Sequence, residues 1–283
     1  MILIADGGAT KTTWSFINNA AVFNFETEGY HPFFVDAGYI AQSLQKALPP
    51  AMAEHCDDIE KIFFYSTGAG YSKETDAVLR EGITPVFPGA EIFLETDLLA
   101  AARALLQKDA GFAAILGTGS NSGMYDGTHI ITNIESGGFL LGDEGSGAYL
   151  GKMVLIDYIR GYMPEALKQI FEQRYQLTPE SLINEVYTSK TPNQYCARFA
   201  RFAADHIDMD YCRELAITNF DDFFKKMITH YKSYRHYSIN TVGSVAYYLK
   251  DIFTLVAARY EVAVGNIFPS AIEGLTRYHR PFQ

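Results

Sequence analysis

Apolar positions crowd the first residues, Met1 to Ala5, and the run stops at Asp6, which is the length and shape of a buried strand. Strand-like stretches follow over Thr13 to Ile17 and Ala21 to Glu26, with the turn pair Asn18-Asn19 between them, so the chain opens as a three-stranded meander. Helical spacing then takes over through Ile40, Leu44, Leu48 and Met52. A strand at Ile62 to Ser66, a helix near Thr75 to Arg80, a strand at Glu91 to Glu95 and a helix at Leu98 to Gln107 complete the order βββαβαβα.

At Phe112 the pattern restarts. Ala113 to Leu116 reads as a strand, Gly117-Thr118-Gly119-Ser120 as a turn, Ser122 to Asp126 as a second strand, and His129 to Glu135 as a third after the Asp126-Gly127 turn. The two openings share an apolar strand, a Gly/Thr turn and two further strands with few identical residues, as an internal duplication would leave them. Beyond Gly145 the chain is amphipathic and helical around Tyr149 to Tyr162, Pro164 to Tyr175, Gln194 to Ile207 and Cys212 to Tyr231, and its Tyr- and Phe-rich part, Tyr195 to Tyr237, reads as core. A strand returns near Ser238 to Val242, Gly243-Ser244 marks a turn, Val245 to Tyr260 reads as one long helix, and Ile267 to His279 closes the chain. The expected fold is α/β in two domains, 1–108 and 109–269, with a helical insertion in the second and a C-terminal helix, about 270–283, packing back on the first.

Composition narrows the class. The 283 residues are 48% hydrophobic and 20% charged, which excludes a disordered or disulfide-scaffold chain and suits two globular domains. Lys+Arg 23 against Asp+Glu 33 leaves a formal charge of −10, no reason to expect nucleic acid or anionic lipid as a partner. Cys56, Cys196 and Cys212 show neither metal-ligand spacing nor an even count, and no apolar run reaches membrane-span length, so a cytoplasmic location is expected.

Chemistry concentrates at the turns. Asp6-Gly7-Gly8-Ala9-Thr10-Lys11-Thr12 lies between two strands, where Gly7 and Gly8 allow a tight turn whose amides can face an anion. Asp6 suits a hydrated Mg²⁺, and Thr10 and Lys11 suit phosphate oxygens; an ordinary hairpin with a solvated lysine is the other reading. The segment lacks the Walker A spacing. Gly117, Thr118, Gly119 and Ser120 occupy the same place in the second meander, and two such turns suit the two sides of one polyphosphate. Gly137 to Gly147 sets five further glycines around Asp143 and Glu144, the composition of a hinge-like connection. Those acids suit sugar hydroxyls or a metal, or else simply cap the next helix. Asp97 follows a strand at the sheet's carboxyl edge, as a general base for phosphoryl transfer or as a helix N-cap. Gly243 and Ser244 form a strand–glycine–helix junction that a flat base or ribose could approach. The seven histidines, His31 and His129 among them, show no metal-ligand pattern.

Taken in order, these segments resemble the actin-like ATPase superfamily of sugar kinases, actin and heat-shock ATPases, with Asp6 to Thr12 as the first phosphate motif, Gly117 to Asn121 as the second and Gly243 to Ala246 as the adenosine motif. More narrowly, Asp6 to Thr12, Gly117 to Ser122 and Gly142 to Gly147 are similar to the family of N-acetylglucosamine kinases and benzoyl-CoA-reductase-activator ATPases, over nearly the whole chain. The resemblance implies two actin-like, ribonuclease H-like domains closing over ATP, and a phosphotransferase acting on an amino sugar, foremost the 6-hydroxyl of N-acetylglucosamine. It implies Asp97 as catalytic base and sugar ligand, Asp143, His31 and Gly138 at the sugar, and Mg²⁺ near Asp6. A homodimer stays open. The family's kinases tend to carry Asn where Gly29-Tyr30-His31-Pro32 stands and a Gly-Trp pair near Gly137-Gly138-Phe139, whereas the sole tryptophan here is Trp14, which implies a sugar pocket unlike the animal-type one. An ATPase activator of a redox partner needs clustered cysteines, which are lacking, and a non-catalytic nucleotide or sugar sensor would not need Asp6, Asp97 and Asp143 together.

Overall fold

Each apolar run that restarts the pattern becomes the central strand of its own sheet. The computed structural model describes residues 1–8, 10–18, 22–232 and 234–280. Ala9 of the first turn, Asn19 of the expected Asn18-Asn19 turn, Ala21 at the start of the expected third strand and residues 281–283 of the expected C-terminal helix lie outside them. The chain divides into two units, one of Met1–Asp109, Gly127–His129 and Ser270–Gln283, the other of Ala110–Asp126 and Ile130–Pro269.

In the first unit the strands are β1 (Ile2–Gly7), β2 (Lys11–Ile17), β3 (Val22–Glu28), β4 (Lys61–Ser66) and β5 (Glu91–Thr96), in the order β3-β2-β1-β4-β5. The meander pairs antiparallel, and β4 and β5 add parallel to β1 through helical crossovers. One face buries Leu3, Ala5, Trp14, Phe16 and Phe64 against Ile40, Leu44, Leu79 and Ile83 of the helices Ala37–Ala47 and Lys73–Ile83. Asp36 caps the first helix, and Ser72 with Thr75 forms a capping box on the second, which therefore starts earlier than its apolar spacing suggested. The expected helix over Ile40 to Met52 stops at Ala47 and resumes as Pro50–Ala53, because Pro49 and Pro50 lack amides and push the preceding residues out of helical conformation. The C-terminal helix Ile272–His279 packs with Asp97–Leu106, and Thr276 bonds Ser15 Oγ at 3.0 Å.

The second unit repeats the plan with β6 (Gly111–Leu116), β7 (Ser120–Tyr125), β8 (Ile130–Asn133), β9 (Ile239–Val242) and β10 (Val264–Phe268), in the order β10-β9-β6-β7-β8. Helices fill the connection from β8 to β9 and bury Phe171, Phe199, Phe202, Phe220 and Phe223 against Phe112, Ala114 and Leu116 of the sheet. The helix Pro179–Thr188 was not anticipated, and the stretch expected as one helix over Gln194 to Ile207 is two, Pro192–Ala197 and Ala200–Asp205. The long helix expected over Val245 to Tyr260 breaks at Leu249 (φ −107°, ψ 27°) into Ser244–Tyr248 and Lys250–Arg259. Apolar spacing runs unchanged across that break, so periodicity could not reveal it. Among the described residues no helix is long and apolar enough to cross a membrane.

Candidate active site

Register brings the site of the first unit together. Gly7 pairs with Ser66 and Ser66 with Thr96, so the ends of β1, β4 and β5 lie level and Asp6, Thr67 and Asp97 gather at one sheet edge. Asp6 Oδ2 accepts from Ser270 Oγ and from the Ala271 amide, both at 3.2 Å. Burial pushes its carboxyl above the ordinary range; those bonds and Lys11 pull it down, while the charge of Asp97 pushes it further up. Asp97 is the first residue of the helix Asp97–Leu106 but does not cap it: Thr96 does, its hydroxyl accepting from the Leu99 amide at 3.2 Å. The capping alternative for Asp97 is thereby removed, and its Oδ2 instead accepts from Thr67 Oγ1 at 2.9 Å. Burial raises the Asp97 carboxyl too, opposed by the bonds from Thr67 and the Leu98 amide and by the charge of His31.

The first turn is closed by a 2.9 Å bond from the Gly8 amide to the Lys11 carbonyl, and the Thr10 carbonyl accepts from the Gly29 amide at 3.1 Å. Lys11 is exposed and ion-paired with Glu26 of the neighbouring strand. Thr12 is fully buried, and its hydroxyl has no hydrogen-bond partner among the described residues. Alternation along β2 sets Lys11 and Thr12 on opposite faces, so the two side chains are not presented to one ligand. His31 is half-buried within charge reach of Asp97, and burial lowers its imidazole below the usual value.

In the second unit the turn Gly117 to Gly119 is knitted to a helix start. The Gly117 and Thr118 carbonyls accept from the Gly147 and Ala148 amides at 2.8 and 3.0 Å, so the first amides of Gly147–Arg160 find their partners in the turn. Ser146 caps this helix, accepting from the Tyr149 amide at 3.1 Å, which removes the capping alternative for Asp143 and Glu144. Asp143 instead adopts a left-handed backbone (φ 61°), a conformation uncommon outside glycine and found at functional sites. Its Oδ1 accepts from the Ser120 amide at 3.3 Å and from Ser136 Oγ at 3.0 Å, and Ser136 Oγ accepts in turn from the Gly138 amide at 3.2 Å. Burial raises the Asp143 carboxyl, the Ser120 and Ser136 bonds oppose it, and Lys152 adds a smaller downward pull. Ser120 Oγ is buried without a partner among the described residues, and Glu144 lies 3.5 Å from Lys226. The segment expected as a loose hinge contains the short helix Gly138–Leu141, tied down by a 2.6 Å bond from Lys152 Nζ to the Phe139 carbonyl.

Gly243 has φ 124°, and a Cβ there would stand 2.3 Å from the Leu116 carbonyl oxygen, so its missing side chain makes room for the second turn. That contact requires glycine independently of any base or ribose. The structure thus places Gly117, Thr118, Gly119, Ser120, Gly138, Asp143, Gly243 and Ser244 in the second unit, and Asp6, Gly7, Gly8, Thr10, Lys11, His31 and Asp97 in the first; the Thr12 and Ser120 hydroxyls face inward. Thr67, Ser136 and Ser270 escaped the sequence reading. Thr67 was within its reach, because the glycine-bearing turn after β4 obeys the rule that singled out the other strand ends; Ser136 and Ser270 carry no comparable local signal.

A carboxylate fixed from one side, as Asp6 is, suits a divalent cation that keeps several waters. Among the described residues no three His, Cys, Asp or Glu side chains gather as metal ligands, so a metal at Asp6 would take most of its shell from water and phosphate. Cys196 and Cys212 are buried in the second unit, their thiols pushed up to about 11 by burial, and Cys56 belongs to the first unit.

No family model and no curated protein matches the chain. Solved structures do. The "putative N-acetylglucosamine kinase" of Porphyromonas gingivalis is 35% identical and superposes with a TM-score of 0.92 over 99% of this chain and 98% of that one. The chain belongs to the sugar kinases of the actin-like ATPase fold. The like-named Chromobacterium violaceum protein (17% identical, TM-score 0.71, 99% of this chain and 98% of that one) shares the family's fold. So does a Streptomyces griseus ROK family glucokinase solved with glucose and AMPPNP (14% identical, TM-score 0.52, 98% and 97%). The two five-stranded sheets, each opening with an antiparallel meander, are this kinase family's architecture.

Proposed function

We propose that this carbohydrate kinase transfers the γ-phosphoryl group of ATP to the 6-hydroxyl of an amino sugar, N-acetylglucosamine foremost. The observation that carries the reading is Asp97: a carboxylate at the carboxyl edge of the sheet, freed from capping by Thr96, held by Thr67, and more basic than usual through burial. Such a group accepts the hydroxyl proton as the new O–P bond forms and the bond from phosphorus to the departing ADP oxygen breaks. Mg²⁺ would supply charge neutralisation on the phosphates, and Asp6, restrained by Ser270 and Ala271, is the residue to hold its water shell. Amides of the turns at Gly7–Gly8 and Gly117–Gly119 suit the phosphates, Gly243 and Ser244 the nucleoside, and Asp143, anchored by Ser120 and Ser136, the sugar hydroxyls.

The test is ADP release with Mg·ATP over N-acetylglucosamine, glucosamine, N-acetylmannosamine, N-acetylmuramic acid and glucose, repeated with Asp97→Asn. Turnover dependent on an amino sugar and abolished in the variant supports the reading. Hydrolysis indifferent to sugar, or full turnover in the variant, refutes it.

A further inference from the structure

Aromatic rings in this protein are mostly core. Phe171, Phe199 and Phe202 pack together with no exposure, as do Trp14 and Phe64. A cluster of three rings beside His31 departs from the pattern. Phe33, Phe34 and Tyr71 are 57%, 70% and 74% exposed, yet they are not scattered: Phe33 meets Tyr71 edge-on with centroids 5.2 Å apart, and His31 contacts Phe33 at 5.4 Å and Phe34 at 5.0 Å. A contiguous apolar patch of this kind costs free energy in water and marks a place where something binds.

The patch is continuous with the proposed catalytic carboxylate. Its rings come from the stretch His31 to Phe34, after β3, and the stretch Thr67 to Tyr71, after β4. Thr67 bonds Asp97, and the charge of Asp97 reaches His31. The two stretches lock together at Gly68 (φ 88°), where a Cβ would stand 3.2 Å from Pro32 and 3.5 Å from the His31 ring. Each is also anchored from behind. Tyr30 is buried with its hydroxyl on Ser43 at 3.0 Å, the His31 carbonyl accepts from the Phe34 and Val35 amides, and the Gly70 amide bonds Asp76 of the capped helix at 2.8 Å. The wall is thus held in shape before any ligand arrives, which lowers the ordering cost of binding.

Three exposed rings beside His31 form a broad apolar surface, to which an apolar substituent is better matched than the hydroxyl-studded ring of a bare hexose. We infer that Phe33, Phe34 and Tyr71 form a specificity wall that packs the apolar N-acyl group of the acceptor sugar, making acyl size a determinant of acceptor choice. The inference rests on the amino-sugar kinase reading and adds to it the residues that recognise the substituent.

The test measures calorimetric affinity, without nucleotide, and kcat/KM with Mg·ATP for glucosamine, N-acetylglucosamine and N-butanoylglucosamine, using the parent protein, Phe34→Ala and Tyr71→Ala. A methylene fully buried on the wall is worth about fourfold in affinity, so the butanoyl sugar, two methylenes longer, should bind up to about fifteenfold more tightly than the acetyl sugar. Either alanine variant should bring that ratio close to one, and Phe34→Trp should keep it. Wild-type affinity indifferent to acyl length, or an equal loss for all three sugars in the variants, overturns the inference. Acyl-dependent binding without phosphorylation would refute the kinase reading and leave the wall standing; phosphorylation with no acyl dependence would do the reverse.

Discussion

The two sheet edges follow one plan and carry different chemistry. At the first, level ends of β1, β4 and β5 present Asp6 and Asp97, two half-buried carboxylates that repel each other and are each restrained by hydroxyl and amide donors. At the second, the equivalent ends of β6 and β9 present glycines, with Gly243 against Leu116 and the turn's carbonyls on a helix start; its one central carboxylate, Asp143, is wrapped by Ser120 and Ser136. On the proposed reading, the shared topology sets where ligands gather, and side chains divide the labour between moving a proton and holding a substrate.

The sharpest way to break this division is to neutralise each edge in turn. Asp97→Asn should lower kcat about 10²- to 10⁴-fold, measured by coupled ADP release, because the proton acceptor is lost while the bond from Thr67 can be kept. Gly243→Ala should cost about 2–4 kcal/mol in denaturant unfolding, since a Cβ meets the Leu116 carbonyl and φ is unfavourable. Asp143→Asn should raise the sugar KM about tenfold, with a smaller fall in kcat, consistent with weakening a charged hydrogen-bond acceptor by about 1–2 kcal/mol. Equal kcat losses in both Asp variants would end the comparison.

Two smaller effects sharpen it. Asp97 must be ionised to accept a proton and its pKa is raised, so kcat should fall on acidification starting above the ordinary carboxylate range, and Asp97→Asn should lack that acid limb. The same shift has a stability sign. A carboxyl whose folded pKa is raised contributes stability that is present below its unfolded pKa and lost as pH rises through the folded one. Asp6→Asn and Asp97→Asn should therefore melt at higher temperature than the parent at pH 8, with the difference shrinking toward pH 4.

Much of this was legible in the chain itself. Apolar runs ending at Asp6 and Leu116, each followed by a glycine turn, are local signals, and they placed both meanders and most of the residues proposed to face ligand. Periodicity failed where a backbone break leaves it unchanged, at Leu249, and where helices are short, as over Pro192–Ala197 and Ala200–Asp205.

The sequence by itself determined the strand and turn pattern, the doubled plan and the choice of Asp6, Asp97 and Asp143, because strand periodicity and turn chemistry act over a few residues. Only the tertiary structure decided what those carboxylates are free to do. Capping by Thr96 and Ser146, the grip of Thr67 on Asp97 and of Ser270 on Asp6, and the meeting of Phe33 with Tyr71 join residues brought together by sheet register and helix packing, and local sequence carries no record of such distances.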